Sequence, residues 1–286
     1  MTTTPKPHRP PLAATVSVAD LQRFSEFLHH RTGMLFTESK RYYIDRRILD
    51  RIDATGTETF AGYFALLRAD TGEIEHLINA FTINETYFYR EEHQLRCLSR
   101  ALLPAIVQGR RPGDKVRIWS VPCSTGEEPF SIAIWLLEHW PLVDAYNIEI
   151  VGSDIDTRAL ADARVGDYGV RALSRLPEAA IERYFEPALD GQRRIIRDLQ
   201  ESVSFTPVNL VDSASMTAQG RFDVIFCRNV LIYFDDKSRL IASENLHASL
   251  NPGGFLCLGH TESMARINDR FETRRFEDAI VYGRPP

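Results

Sequence analysis

The sequence predicts an α/β fold, in which a small all-α domain precedes a doubly wound, mostly parallel sheet that carries a small β insert. Three observations lead there. Up to about residue 90, apolar side chains recur at helical spacing in short segments. Beyond residue 114, short apolar β-rich runs alternate with helical segments, the pattern of a parallel sheet covered on both faces. The stretch 166–202 breaks that alternation and holds Asp190-Gly191, a strong hairpin signal.

The elements follow in order. Residues 1–17 are Thr- and Pro-rich and read as a disordered tail. Ser17 can cap a first helix, with Asp20 in capping-box position, Leu21, Phe24, Phe27 and Leu28 on one face, and Gly33 as its stop. A second helix runs from about Ser39 through Tyr43, Ile44, Ile48 and Ile52 to Gly56. A third carries Phe60, Tyr63, Phe64 and Leu67 and stops near Gly72; a fourth carries Ile74, Leu77, Ile78 and Phe81. Together they predict an all-α domain over 18–90. Residues 91–113 read as a linker helix and turn. The sheet domain, 114–286, has strands predicted at 116–121, 148–153, 203–208, 222–227 and 255–259, with a terminal pair at 271–276 and 279–283. Helices are expected at 127–139, 156–163 and 236–250.

Composition narrows the class. The 286 residues are 44% hydrophobic and 26% charged, values of an ordinary globular chain, and no apolar run is long enough for a membrane span. The N-terminus lacks the apolar stretch of a secretion signal. Cys97, Cys123, Cys227 and Cys257 are far apart, so no zinc or other metal site is expected, and a reducing cytoplasm fits. A net charge of −5 gives a nucleic-acid partner no global support. Gly-x-Ser-x-Gly, His-Glu-x-x-His, a phosphate loop and Gly-x-Gly-x-x-Gly are all missing, which excludes the common hydrolase, nucleotide and nicotinamide sites.

Four clusters remain. Ser124-Thr125-Gly126-Glu127-Glu128-Pro129 is a strand-to-helix turn of small residues that a ligand can approach closely. Its two acids repel a phosphate; alternatively they only complement the helix dipole. Asp154 ends the second strand, where doubly wound folds hold a ribose diol, unless it or Asp156 merely caps the next helix. A ligand with a ribose but no phosphate fits both features, and S-adenosylmethionine is the obvious one. Residues 82–90 mix polar groups and aromatics without helical period; Arg90 can fork onto a carboxylate, or the stretch is a structural aromatic cluster. Residues 227–234 follow an apolar strand, where a parallel sheet places its site.

With these blocks in view, the sequence resembles the CheR family of chemotaxis receptor methyltransferases from about Val18 to Tyr282. The resemblance rests on Asn84-x-Thr86-x-Phe88-x-Arg90, Ser124-Thr125-Gly126-Glu127-Glu128-Pro129, Ser153-Asp154-Ile155-Asp156 and Phe226-Cys227-Arg228-Asn229-Val230-x-Ile232-Tyr233-Phe234. It implies a Rossmann-like class I methyltransferase domain with an inserted β-subdomain behind an all-α domain. It implies an enzyme, a protein-glutamate O-methyltransferase, that moves the methyl group of S-adenosylmethionine to receptor glutamates and leaves S-adenosylhomocysteine. Asn84, Thr86 and Arg90 would bind the methionyl end, Glu128 the amino-acid or ribose side, Asp154 the ribose, and Asn209 and Leu210 the adenine. Arg228 and Asn229 would close the pocket, and Arg90 and Tyr233 would lie at the reaction centre. The implied partner is the cytoplasmic helical domain of a chemoreceptor. The second helix offers Arg46, Arg47 and Arg51 to an acidic helical partner, or is simply a solvated face. Family members that dock a receptor's C-terminal pentapeptide have a longer loop than Asp190-Gly191-Gln192, so pentapeptide independence is expected, as is a monomer.

The chemistry implied needs no general base, because a glutamate with an ordinary pKa of about 4.3 is already ionised; the sequence shows no His–carboxylate dyad. A methyltransferase for another carboxylate is the alternative within this chemistry, and a non-catalytic S-adenosylmethionine-binding regulator the alternative outside it. A nucleic-acid methyltransferase is disfavoured by charge and by the missing Asn/Asp-Pro-Pro-Tyr run.

Overall fold

The computed structural model describes residues 16–37 and 40–286. The proposed tail therefore lies almost wholly outside the described residues, as does the Ser39 helix start. The described residues divide into two compact units, 16–31 with 35–37 and 40–81, and 32–34 with 82–286.

The first unit is helical: α1 (Val18–Thr32), α2 (Arg41–Thr55), α3 (Phe60–Ala69) and α4 (Thr71–Phe81). Ser17 caps α1, accepting from the Asp20 N–H at 3.1 Å and donating to the Asp20 carboxylate at 2.7 Å. Phe24, Leu28, Ile44, Ile48, Ile52, Tyr63, Leu67, Leu77 and Phe81 are buried. The α3 boundary differs from expectation. The helix ends at Ala69, and Gly72 lies inside the first turn of α4. Asp70 makes the break: its carboxylate accepts from Gly72 N–H at 2.8 Å and starts the next helix.

The second unit begins its helical layer with α5 (Glu92–Cys97), a π-helical stretch (Leu98–Leu102) and α6 (Leu103–Val107). The sequence reading of this segment as a linker is corrected here. Leu95, Cys97, Leu98, Leu102 and Leu103 are buried in the same core as the sheet. Pro104 lacks the N–H of the next helical bond, and the helix widens just before it.

The sheet then alternates with helices: β1 (Lys115–Ser120), α7 (Glu127–His139), β2 (Asn147–Asp154) and α8 (Thr157–Val165). The insert follows with β3 (Asp167–Tyr168), α9 (Val170–Leu173), α10 (Glu178–Tyr184), β4 (Phe185–Pro187), β5 (Arg193–Ile195) and α11 (Arg197–Ser202). It is a three-stranded antiparallel sheet, ordered β3-β5-β4, rather than a bare hairpin. Asp190 and Gly191 both take left-handed φ, 54° and 73°, at its turn. The main sheet resumes with β6 (Val203–Pro207), α12 (Ser213–Thr217), β7 (Phe222–Cys227), α13 (Asp236–Ala248), β8 (Leu250–Leu258), β9 (Glu272–Arg275) and β10 (Ile280–Gly283). α12 was not legible in the sequence. Residues 251–254, which lie between the helix expected to 250 and the strand expected from 255, form a bulge within β8, where the register against β7 shifts.

The seven strands lie in the order β6-β2-β1-β7-β8-β10-β9, parallel from β6 to β8. Alternation along β1 sends Val116 and Ile118 into the core with α5, α6 and α7, and Trp119 into the core with α12 and α13. That is the doubly wound arrangement. The chain leaves β1 toward β2 on one side and returns as β7 on the other. The carboxyl ends of β1, β2 and β7 therefore bound the switch-point crevice where such folds bind ligands.

Candidate active site

A cleft of about 860 Å³, open solvent included, lies at that crevice. Asn84, Thr86 and Arg90 line it from the segment before α5, Glu128 from the start of α7, Asp154 from the end of β2, and Arg228, Asn229 and Tyr233 from the loop after β7. Glu127 does not line it. That residue turns inward, is 4% exposed and bonds the Thr125 hydroxyl at 2.7 Å; burial holds its carboxyl above the ordinary range. Asn209 and Leu210 line a neighbouring slot with Val121, Val208, Val230 and Phe234, and this slot shares Met34, Pro122, Asp154, Ile155 and Val230 with the cleft. It is narrow and mainly apolar, suited to a flat aromatic ring.

The loop after β1 is shaped by its backbone. Gly126 has φ 93°, and a Cβ there would meet the Ala163 Cβ at 3.0 Å and the Tyr168 hydroxyl at 3.1 Å. Ser124, also left-handed, donates its N–H to Asp154 at 2.8 Å. Asp154 accepts a second N–H from Asp156 at 2.9 Å. Burial nevertheless pushes its carboxyl up to about 6, against those two donors. Asp156 is the helix cap: it accepts from the N–H groups of Arg158 and Ala159 at 3.0 Å, and Asn84 donates to its other oxygen at 2.7 Å. The two readings of the acids thus separate, with Asp156 capping and Asp154 at the crevice.

The two cleft arginines differ. Arg228 is buried and bonds Glu128 at 2.6 Å, Glu91 at 3.2 Å and the Arg90 carbonyl at 2.8 Å; among the described residues its Nε has no hydrogen-bond partner. Glu128 also accepts from Ser120 at 2.8 Å. Arg90 donates to the Glu85 carbonyl at 2.5 Å and lies 5.8 Å from the Tyr87 ring centre, and among the described residues it pairs with no carboxylate. Burial, then the charge of Glu85, raises the Tyr233 phenol above its ordinary value, so it is neutral at pH 7. Among the described residues, no histidine or lysine lines the cleft.

One sequence expectation is corrected. A His–carboxylate pair does exist, His260 with Glu91 at 2.8 Å, although neither residue lines the cleft. Sequence reasoning also missed Glu262, whose carboxylate accepts backbone N–H groups of the loop carrying Asn229. Its signal was available: an acid in the loop just past a parallel strand.

In unit one, Arg46 is exposed. Arg47 donates to the Ala80 carbonyl and stacks on Tyr43 at 4.3 Å. Arg51 forks onto buried Glu73 at 2.9 and 2.5 Å, and Tyr63 donates to the same carboxylate at 2.8 Å.

Residues 84–280 match the family of the CheR methyltransferase SAM-binding domain, and residues 19–82 match its all-alpha domain. The chain belongs to the CheR methyltransferase family. It is 47% identical over 272 residues to chemotaxis protein methyltransferase 2 of Vibrio cholerae, covering 94% of each chain. It is 37% identical to chemotaxis protein methyltransferase 2 of Pseudomonas aeruginosa, over 87% of this chain and 88% of that one. The Escherichia coli chemotaxis protein methyltransferase is 34% identical, over 91% and 89%. Membership in the CheR family makes S-adenosylmethionine the cofactor and methyl transfer the reaction. The donor set of the cleft suits that molecule, with a buried carboxylate at the end of β2, an apolar slot beside it and, among the described residues, no lysine for a phosphate. No helix among the described residues is long and apolar enough to cross a membrane.

Proposed function

We propose that the chain methylates glutamate side chains of methyl-accepting chemotaxis receptors, giving glutamyl methyl esters. One observation carries this reading. Among the described residues, the cleft offers a cation paired with no carboxylate, Arg90, and no imidazole or amine to take a proton. Such a site suits an acceptor that arrives ionised. Bound S-adenosylmethionine supplies a methyl carbon on a sulfonium. Its chemistry would be displacement by a glutamate oxygen with the neutral thioether as leaving group, so the residues around the cleft would have no proton to move.

The residues' tasks are alignment and charge. Arg90 would keep the entering carboxylate ionised against the desolvation that favours its acid form. Tyr233 would pack at the reacting atoms as a neutral phenol. Asn84, Thr86, Glu128, Arg228 and Asn229 would hold the amino-acid end, Asp154 the ribose, and Asn209 and Leu210 the adenine. Alignment alone is worth roughly 7–11 kcal/mol in well-oriented systems.

The proposed partner is the cytoplasmic helical domain of a receptor, met by a monomer in the cytoplasm. Of the basic residues offered by α2, Arg47 and Arg51 make contacts within the helical unit, so the docking charge narrows to Arg46, with exposed Tyr42 one turn before it. The compact turn at Asp190 favours independence from a receptor pentapeptide. The test is transfer of label from methyl-labelled S-adenosylmethionine to membranes bearing chemoreceptors. Labelled receptor is expected; cofactor binding without label on any receptor overturns the acceptor assignment.

A further inference from the structure

We infer that Glu262 is a positioning residue for the cofactor pocket, acting as the anion that holds the Asn229–Tyr233 loop in its binding shape. The inference rests on the cleft being the cofactor site. Arg228, Asn229, Val230 and Tyr233 line the cleft from a short segment without regular structure to fix it, apart from one 3-10 turn at Leu231–Tyr233. Asn229 takes a left-handed φ of 59°, a state that asparagine adopts more readily than most residues, so the turn begins there and the N–H groups that follow it need a partner.

Glu262 supplies that partner. One carboxylate oxygen accepts from the N–H groups of Val230 at 2.9 Å and Leu231 at 2.7 Å. The other accepts from Asn229 at 2.7 Å and Gly259 at 2.9 Å. Consecutive N–H groups converging on one carboxylate form an anion cradle, here filled by the protein's own side chain. The fourth donor ties in the end of β8. Cys227 and Leu258 are paired neighbours on β7 and β8, so the loops leaving both strands are fastened to one point. The fit is close: a Cβ on Gly259 would lie 2.8 Å from the Glu262 oxygen and 2.7 Å from the Asn229 amide nitrogen.

The geometry makes glutamine a severe test. An amide in either orientation presents its NH2 to two of the four N–H groups, leaving both unmet. Aspartate keeps both oxygens on a shorter arm. The experiment is calorimetric titration of the intact protein with S-adenosylhomocysteine. Glu262→Gln should weaken binding about tenfold or more, the loss expected when buried donors go unpaired. Glu262→Asp should restore part of it. Asn229→Gly keeps the left-handed backbone and removes the side chain. In the Glu262→Gln background it should cost less than it does alone, because the loop is already displaced; a general loss of stability would leave the two effects additive. Binding by Glu262→Gln within about twofold of wild type, or full additivity, overturns the inference. Should Glu262→Gln not unfold cooperatively, Gly259→Ala presses on the same contact from the other side and should weaken binding likewise; unchanged affinity there overturns the inference too. None of these titrations needs an acceptor, so an absence of receptor methylation by the wild-type protein would count against the acceptor alone.

Discussion

Arg90 and Arg228 line one cleft in opposite electrostatic settings. Arg228 is surrounded by Glu91 and Glu128, so its charge is spent inside the protein, whereas Arg90 bonds only a carbonyl and a ring among its described contacts. Arg90→Ala should therefore reduce methyl transfer at least about 100-fold, the scale of losing one positioned charge-stabilising donor, with little change in thermal midpoint. Equal loss of turnover and stability would contradict the assignment. Asp154 gives a pH signature. Its carboxyl is raised by burial to about 6, so the free folded chain takes up this proton before the unfolded chain does. This group accordingly favours folding more as pH falls from about 6 toward the ordinary aspartate range. A ribose diol donates to the ionised form, so S-adenosylhomocysteine affinity should fall as pH drops through about 6. Asp154→Asn should flatten that profile, and titration calorimetry across pH would show it; an unchanged slope in the variant would assign the proton elsewhere. The place of Asp154 at a strand end beside the crevice was legible in the sequence, and its role toward a ribose is a proposal built on that place. The division between Glu127 and Glu128 came from the family resemblance, which puts Glu128 toward the cleft, and not from the residue pattern, since it depends on which side of one helical turn faces the crevice.

Elements were legible where periodicity carried them and obscure where a single polar group decided. The strands β1, β2 and β7 are short apolar-rich runs, nearly continuous in β7 and interrupted by Arg117 in β1 and Glu149 in β2, and they are visible without any structure. The break between α3 and α4 is made by the Asp70 carboxylate, not by the glycine that seemed to mark it. The segment around α5 and α6 looked like a linker because its apolar face gives no sign of what covers it. Helix α2 looked like a basic surface, yet its arginines divide by face. Arg51 and Glu73 form an ion pair in which Glu73 is 5% exposed and also bonds Tyr63. Removing the arginine strands a buried charge, so Arg51→Ala should destabilise the protein by about 3–5 kcal/mol, measured by denaturant unfolding. Arg46→Ala, on the exposed face, should leave stability within about 0.5 kcal/mol and weaken receptor methylation. Wild-type turnover in Arg46→Ala would move the docking surface elsewhere. The insert's turn at Asp190 carries a further expectation: a receptor C-terminal pentapeptide should show no saturable binding in calorimetry, and micromolar affinity would contradict it.

At the scale of the whole chain, a net charge of −5 coexists with a site and a helix that both present arginine. Attraction to the proposed acidic helical receptor would then be local and screened. Methylation at low receptor concentration should fall as ionic strength rises and the Debye length shortens from about 10 Å at 0.1 M. Salt-independent rates would remove charge from the account of docking. The order of domains was legible because helical spacing gives way to strand–helix alternation near residue 115. The three-stranded character of the insert was not, because a two-residue strand such as β3 has no period to read. The central claim is that the methyl group ends on a glutamate oxygen, and the product's chemistry tests it most directly. Receptor labelled by the protein with methyl-labelled cofactor is treated with mild base, and volatile methanol is counted. Release of the label as methanol is the predicted result, the behaviour of a glutamyl ester; label that stays on the receptor through the base treatment would contradict it.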